Sequence, residues 1–159
     1  MNNIAVFADV QNIYYTTRQA YGRQFNYKKL WQRLAQQGNI VMAKAYAIDS
    51  GNSGQQKFQA ALNHIGFEIL LKPYIQRSDG SAKGDWDVGI AIDIMEAAAS
   101  ESIDTVVLLS GDGDFDRLLE RVKQRYGVHT EAYGVAALTA KSLILAADQY
   151  HAIDRDLLL

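Results

Sequence analysis

The sequence predicts an α/β fold, a parallel sheet with helices packed on both of its faces. Three observations carry that prediction. Short apolar, often β-branched runs alternate with segments of helical period from one end of the chain to the other. Two of those runs stop abruptly at acidic or small residues: Ile4-Ala5-Val6-Phe7-Ala8 ends at Asp9, and Thr105–Leu109 ends at Ser110-Gly111-Asp112-Gly113-Asp114. The chain has 159 residues, 48% of them apolar, which suffices for a core on each side of a sheet. We therefore read residues 1–159 as one domain.

Taken in order, Ile4–Ala8 is the first strand, and Val10-Gln11-Asn12 begins a polar turn after it. Asn12 is a candidate cap or site residue. Tyr14, Tyr15, Tyr21, Phe25 and Tyr27 crowd the next segment together with Arg18 and Arg23. Asn26 suits the N-cap of a helix over Tyr27–Gln37, in which Leu30, Trp31 and Leu34 recur at helical spacing and Gly38 marks the end. A second strand spans Ile40–Ile48. Residues 49–54 form a loop, Gln56–His64 a helix closed by Gly66, and Phe67–Leu71 a third strand ended by Lys72-Pro73.

The polar, small-residue stretch Ile75–Gly84 is the best candidate for a mobile loop. Asp85-Trp86-Asp87 then leads into a helix over Val88–Ala99, with Ile90, Ile94 and Met95 inward. Thr105–Leu109 is the fourth strand, Asp116–Tyr126 a helix, Val128–Tyr133 a fifth strand and Ala140–Ala147 a last helix. Tyr150–Ile153 reads as a short closing strand. The tail Asp154–Leu159 either docks on the body or meets a second copy of the chain in a homodimer.

Such an alternation implies three outward-running strands on one side and a return to the other, the order 3-2-1-4-5. The order reverses between strands 1 and 4, and ligands bind outside the carboxyl ends of strands at that point. Asp9 ends strand 1, while Asp112 and Asp114 follow strand 4. Asp87 opens the helix that feeds strand 4 and can point at the same edge.

Composition excludes several classes. No apolar run reaches membrane-spanning length, and Met1-Asn2-Asn3-Ile4 does not look like a signal peptide. The absence of cysteine removes disulfides, thiolate metal sites and a thiol nucleophile, and suits the cytoplasm. A net charge of −2 gives no overall attraction to polyanions, so nucleic acid would be met through a bound cation and a local basic rim.

Four carboxylates sharing one edge repel one another. A pair ~4 Å apart costs about 4 kcal/mol at an effective dielectric near 20. Either protons or a cation must relieve this, and an all-oxygen set favours Mg²⁺ or Mn²⁺ over zinc. Each aspartate alone serves equally well as a turn former or helix cap. Asp112-x-Asp114-x-Asp116 is no calcium loop, because Arg117 and Lys123 stand where Gly and Glu are needed. A P-loop, a dinucleotide fingerprint and a nucleophile elbow are likewise missing. His64, His129 and His151 lack metal-ligand spacing.

Three stretches resemble the NYN domains of the PIN-like nuclease group, in particular their bacterial LabA-like members. They are Phe7-Ala8-Asp9-Val10-Gln11-Asn12, Lys83-Gly84-Asp85-Trp86-Asp87-Val88 and Ser110-Gly111-Asp112-Gly113-Asp114-Phe115. The resemblance covers essentially the whole chain in the right order. It implies a three-layer, Rossmann-like fold and metal-dependent ribonuclease chemistry. Asp9, Asp87, Asp112 and Asp114 match the family's acids, and Asp93 matches a further one in the helix. Asp85-Trp86 stands where relatives have one apolar residue, so Asp85 and Asp87 compete for one position; Val88 favours Asp87. On a regular helix Asp87 and Asp93 lie about 120° apart, which ranks Asp93 second.

The expected activity is therefore cleavage of a phosphodiester, in RNA, at Mg²⁺ or Mn²⁺ held by Asp9, Asp87, Asp112 and Asp114. Asn12 and Ser110 would orient a ligand carboxylate or water, and Lys83 would contact phosphate. Arg18, Arg23, Lys28, Lys72 and Arg77 are candidate rim cations, and Tyr14, Tyr15 and Trp86 candidate base stackers. Two alternatives stand beside it. One is a non-catalytic RNA- or protein-binding module with a remnant acidic site, the other a metal-dependent phosphatase or phosphotransferase.

Overall fold

The computed structural model describes residues 2–49, 52–73, 75–76, 82–83 and 85–159. Six strands form one parallel sheet: β1 (Asn3–Asp9), β2 (Asn39–Asp49), β3 (Glu68–Pro73), β6 (Thr105–Leu109), β7 (His129–Gly134) and β8 (Gln149–Ala152). Their order across the sheet is β3-β2-β1-β6-β7-β8, every neighbouring pair parallel. This is the predicted order, with the closing strand as a sixth member at the edge. Two short strands, β4 (Ile75–Gln76) and β5 (Ala82–Lys83), pair antiparallel by themselves. They fall within the stretch expected to be a mobile loop, whose remaining residues lie outside the described ones.

Among the described residues the α-helices are α1 (Val10–Tyr21), α2 (Tyr27–Gln37), α3 (Ser53–Ile65), α4 (Asp87–Ala99), α5 (Asp116–Tyr126) and α6 (Lys141–Ala146). Strand residues alternate between two cores, because successive side chains point to opposite faces. Ile4, Val6, Ala8, Val107 and Leu109 join the α1–α2–α3 side, with Leu30 and Leu34. Ala5, Phe7, Val106 and Leu108 join the α4–α5–α6 side, with Ile90, Ile94 and Leu119. The central strands β1 and β6 are buried on both faces, which is why they read as unbroken apolar runs.

Helix α1 replaces the polar turn expected after β1. It starts directly at Asp9, which caps it by accepting from the Asn12 amide at 3.3 Å. Only Val10, Ile13 and Thr17 face inward. Thr17 is buried because its hydroxyl donates to the Ile13 carbonyl at 2.7 Å. One of three inward positions is thus polar, and the outer face carries tyrosines, so the usual apolar stripe is blurred. At its end Gly22 adopts φ 65°, a left-handed cap that suits glycine.

The C-terminal tail docks on its own chain. Leu157 and Leu158 are buried, the Asn26 amide donates to the Leu157 carbonyl at 2.7 Å, and Phe25 pairs with Leu158. Burying two leucines contributes about 1.5–3 kcal/mol each, enough to hold a short tail in place.

Candidate metal centre

The carboxyl edge between β1 and β6 is assembled by a chain of hydrogen bonds. Ser110, fully buried, donates to the Asp9 carboxylate at 3.2 Å and accepts from the Asp112 amide at 3.1 Å. The Asn12 side-chain oxygen accepts from the Gly111 amide at 2.9 Å, tying the first turn of α1 to the end of β6. Asp112 in turn accepts from the Asp114 amide at 2.9 Å and so shapes the 3₁₀ turn Gly113–Phe115. The strand-end acids therefore sit on a backbone whose course their neighbours fix.

One oxygen each of Asp87, Asp112 and Asp114 lies within 4.8 Å of the others. Among the described residues this is the group of acids placed to hold a cation. Asp9 stands behind it, joined through Ser110 rather than grouped directly. Asp93 lies elsewhere: it accepts from the Tyr46 hydroxyl at 2.7 Å and pairs with Lys44 at 3.8 Å. Asp85 accepts from the Asp87 amide at 3.4 Å, so it supports the start of α4. Of Asp85 and Asp87, it is Asp87, the one favoured by the sequence, that lies with Asp112 and Asp114.

Capping does not account for all of these acids. The N-cap residues of α4 and α5 are Trp86 and Phe115, so neither Asp87 nor Asp114 serves in that way. Asp9 and Asp112 do cap local turns, and each has a second oxygen left over for other work.

The site is electrostatically uneasy. Burial pushes the Asp9 carboxyl up to about 6, against the pull of the Asn12 amide and the Ser110 hydroxyl and with the charges of Asp112 and Asp85 adding to the rise. Asp87 is pushed up to about 7, first by burial and then by the Asp112 carboxyl, which is close enough to share a hydrogen with it. Near neutral pH the edge thus retains protons that a divalent cation would displace. The donors are all carboxylate oxygens, the set that suits a hard cation.

Asp87 owes its position to Trp86. The indole nitrogen donates to the Ala47 carbonyl at 2.9 Å, and the ring packs on Tyr46 at 5.3 Å. Lys72 sits 4.5 Å above the same ring and donates to the Asp85 carbonyl at 3.1 Å. Gly89 lies beneath the ring, where an added Cβ would approach it to 2.6 Å. Trp86 and Lys72, expected as a base stacker and a rim cation, are thus engaged within the chain.

The remaining expected residues are scattered. Tyr14 and Tyr15 are exposed on α1, Arg18 lies over the Tyr14 ring, and Lys28 is exposed on α2. The Arg23 Nε donates to the Leu159 carbonyl at 2.6 Å. The Lys83 backbone pairs with Ile75; its side chain and Arg77 lie outside the described residues. Away from the site, buried Glu131 is held between His129 at 3.1 Å and His151 at 2.7 Å, a structural use of two histidines.

With the geometry in hand, comparison with known proteins is informative. The sequence pattern of the NYN domain matches residues 3–154. The chain belongs to the NYN domain family. It is 27% identical over 157 residues to the low amplitude and bright protein LabA of Synechococcus elongatus, covering 94% of this chain and 82% of LabA. This agrees with the LabA-like branch. The crystal structure of a protein of unknown function from Vibrio parahaemolyticus superposes with a TM-score of 0.93 at 52% identity, over 99% of this chain and 96% of that one. Membership of the NYN family and the likeness to LabA support a nuclease-like role, and the family's use of divalent metals matches the acidic group found here. No helix among the described residues is long and apolar enough to cross a membrane.

Proposed function

We propose that this NYN protein is a metal-dependent ribonuclease, a hydrolase that adds water across one P–O bond of an RNA phosphodiester. The observation that carries this reading is the grouping of Asp87, Asp112 and Asp114 at the sheet's switch point, with a buried Asp9 behind them. These three carboxylates would hold Mg²⁺ or Mn²⁺. When bound there, such a cation polarises a phosphoryl oxygen and lowers the pKa of a bound water.

The chain's own residues do the positioning. Ser110 fixes Asp9 relative to Asp112, and Asn12 anchors the loop that carries Asp112. Asp112 fixes the backbone of Asp114, and Trp86 holds Asp87 at the edge. Burial raises the Asp9 carboxyl to about 6, and a cation at the neighbouring carboxylates would draw it back down and release its proton. We read the whole chain as one such domain, working in the cytoplasm.

The test gives purified protein single-stranded RNA, structured RNA and DNA with Mn²⁺, Mg²⁺ or EDTA, beside Asp112→Asn. Cleavage of RNA should need the metal and fall by about 100-fold or more in the variant, since even changes one shell further out cost 10–100-fold. Cleavage that persists equally in Asp112→Asn would point to contamination and sink the nuclease reading. RNA binding without cleavage by either protein would favour a binding module. Turnover of phosphomonoesters alone would favour a phosphatase.

A further inference from the structure

Charge is partitioned along this chain in a way that its net value conceals. Residues 10–48 contain no Asp or Glu, but carry Arg18, Arg23, Lys28, Lys29, Arg33 and Lys44. Residues 85–116 show the opposite pattern, nine acids and no Lys or Arg. The first stretch supplies α1 and α2 on one side of the sheet, and the second supplies α4 on the other. The carboxylate edge lies between the cations of α1 and α2 and the acids of α4, beyond which α5 carries Arg117, Arg121, Lys123 and Arg125. A polyanion reaching that edge meets attraction from the α1 side and repulsion from the α4 side.

The basic side also carries the exposed aromatic rings. Tyr14 and Tyr15 are 41% and 59% exposed, and Tyr21 at the end of the same helix is 40% exposed. Gln11, Tyr14, Tyr15 and Arg18 share the solvent face of α1, which begins at Asp9. The Arg18 guanidinium donates to the Tyr14 hydroxyl and lies 5.7 Å from its ring, so the two are pre-arranged as a pair. Beyond them a cavity of about 320 Å³ is lined by Tyr14, Arg18, Gly22, Arg23 and Gln24. The docked tail sets Leu157, Leu158 and Leu159 alongside residues 23–26, at the far end of this surface.

We propose that the solvent face of α1 is a track for single-stranded RNA that leads the chain into the carboxylate edge. It rests on the nuclease reading and adds a face and a strandedness to it. Tyr14 and Tyr15 stack unpaired bases, while Arg18 and Arg23 neutralise phosphates. Base faces are open to such stacking only in unpaired strands, so a duplex is excluded from the track. The acidic α4 side sets the direction of approach.

The test measures binding of a fluorescently labelled single-stranded oligouridine and of its duplex with oligoadenosine, in EDTA, where binding is read without cleavage. The double variant Tyr14→Ala/Tyr15→Ala should bind the single strand about tenfold more weakly or worse, and Tyr14→Phe/Tyr15→Phe should retain binding, because stacking needs the ring and not the hydroxyl. Arg18→Gln should weaken binding and lower the salt slope by about one. Arg121→Gln, on the α5 side, should leave both unchanged. Equal binding by the native and alanine variants, tighter binding of the duplex or no binding by the native protein overturns the track. Asp112→Asn separates the two readings. If native protein and Asp112→Asn cleave RNA equally, or neither cleaves it, while ring-dependent binding persists, the nuclease reading fails and the track stands; if cleavage is lost in Asp112→Asn but normal in the alanine variants, the track fails and the nuclease stands.

Discussion

Asp9 ends β1 and Asp112 follows the end of the neighbouring β6, whereas Asp87 arrives on a helix whose approach segment is held to the sheet through one indole. On the strand side, Ser110, Asn12 and the amides of Asp112 and Asp114 form overlapping hydrogen bonds, each supported by another. On the helix side, Trp86 gathers Tyr46, Ala47, Lys72 and Gly89 around itself. Redundant hydrogen bonding makes the first half tolerant of single losses. Dependence on one ring makes the second half brittle.

The largest effect expected is on the buried acid of the strand side. Asp9 has a folded pKa of about 6 against an ordinary aspartate value near 3.9, so the folded state binds its proton more tightly than the unfolded state. Its contribution to stability is therefore fully present below pH 4 and is lost as pH rises through about 6. That difference corresponds to about 3 kcal/mol. In EDTA, the stability gap between the native protein and Asp9→Asn should shift by this amount against the native protein between pH 4 and pH 7.5, read from urea titrations. A pH-independent gap would show that Asp9 ionises freely and that this half of the site is not strained. Added Mn²⁺ should raise the native midpoint most at the alkaline end, where the cation no longer competes with protons.

How much of this was legible in the sequence follows the same division. The strand-side acids could be placed because topology alone brings the ends of β1 and β6 together. The order of the strands and the bounds of α2, β6 and α5 followed from apolar spacing and from Asn26, Gly38 and Gly127. Helix α1 was not legible, because Thr17 occupies an inward position by satisfying its hydroxyl on the preceding turn and three tyrosines face water. The setback of Asp9 behind Ser110 depends on side-chain directions that spacing does not carry, whereas the angle of about 120° between Asp87 and Asp93 already set Asp93 apart, and its partners are Tyr46 and Lys44. The Trp86 clamp joins residues from three separate stretches, so no local pattern announces it.

Trp86→Ala should give the next largest effect. The ring is half-buried, so its removal is expected to cost about 2 kcal/mol rather than the 3–5 kcal/mol of a fully buried one. The sharper readout is Mn²⁺ affinity by calorimetry, which should fall about tenfold or more as Asp87 loses its placement. Trp86→Phe keeps the packing on Tyr46 but loses the bond to the Ala47 carbonyl, and should fall between the two. Metal affinity unchanged in Trp86→Ala would show that Asp87 is positioned by the helix itself and not by its indole.

Asn12→Ala should give the smallest effect, and it probes the redundancy claimed for the strand side. The substitution removes the acceptor for the Gly111 amide but leaves the residue's own amide donating to Asp9, so the cap of α1 survives. A single lost bond at a partly buried position costs about 1 kcal/mol, or about 2–4 °C of thermal midpoint for a chain of this size. Ser110 still joins Asp9 to the Asp112 amide in this variant, so Mn²⁺ affinity should change only a few-fold. A fall in affinity as large as that of Trp86→Ala would mean that the bonds at the end of β6 act as one indivisible unit. The two halves of the edge would then be equally brittle, and Asn12 would rank with Trp86 as a residue on which the placement of the carboxylates depends.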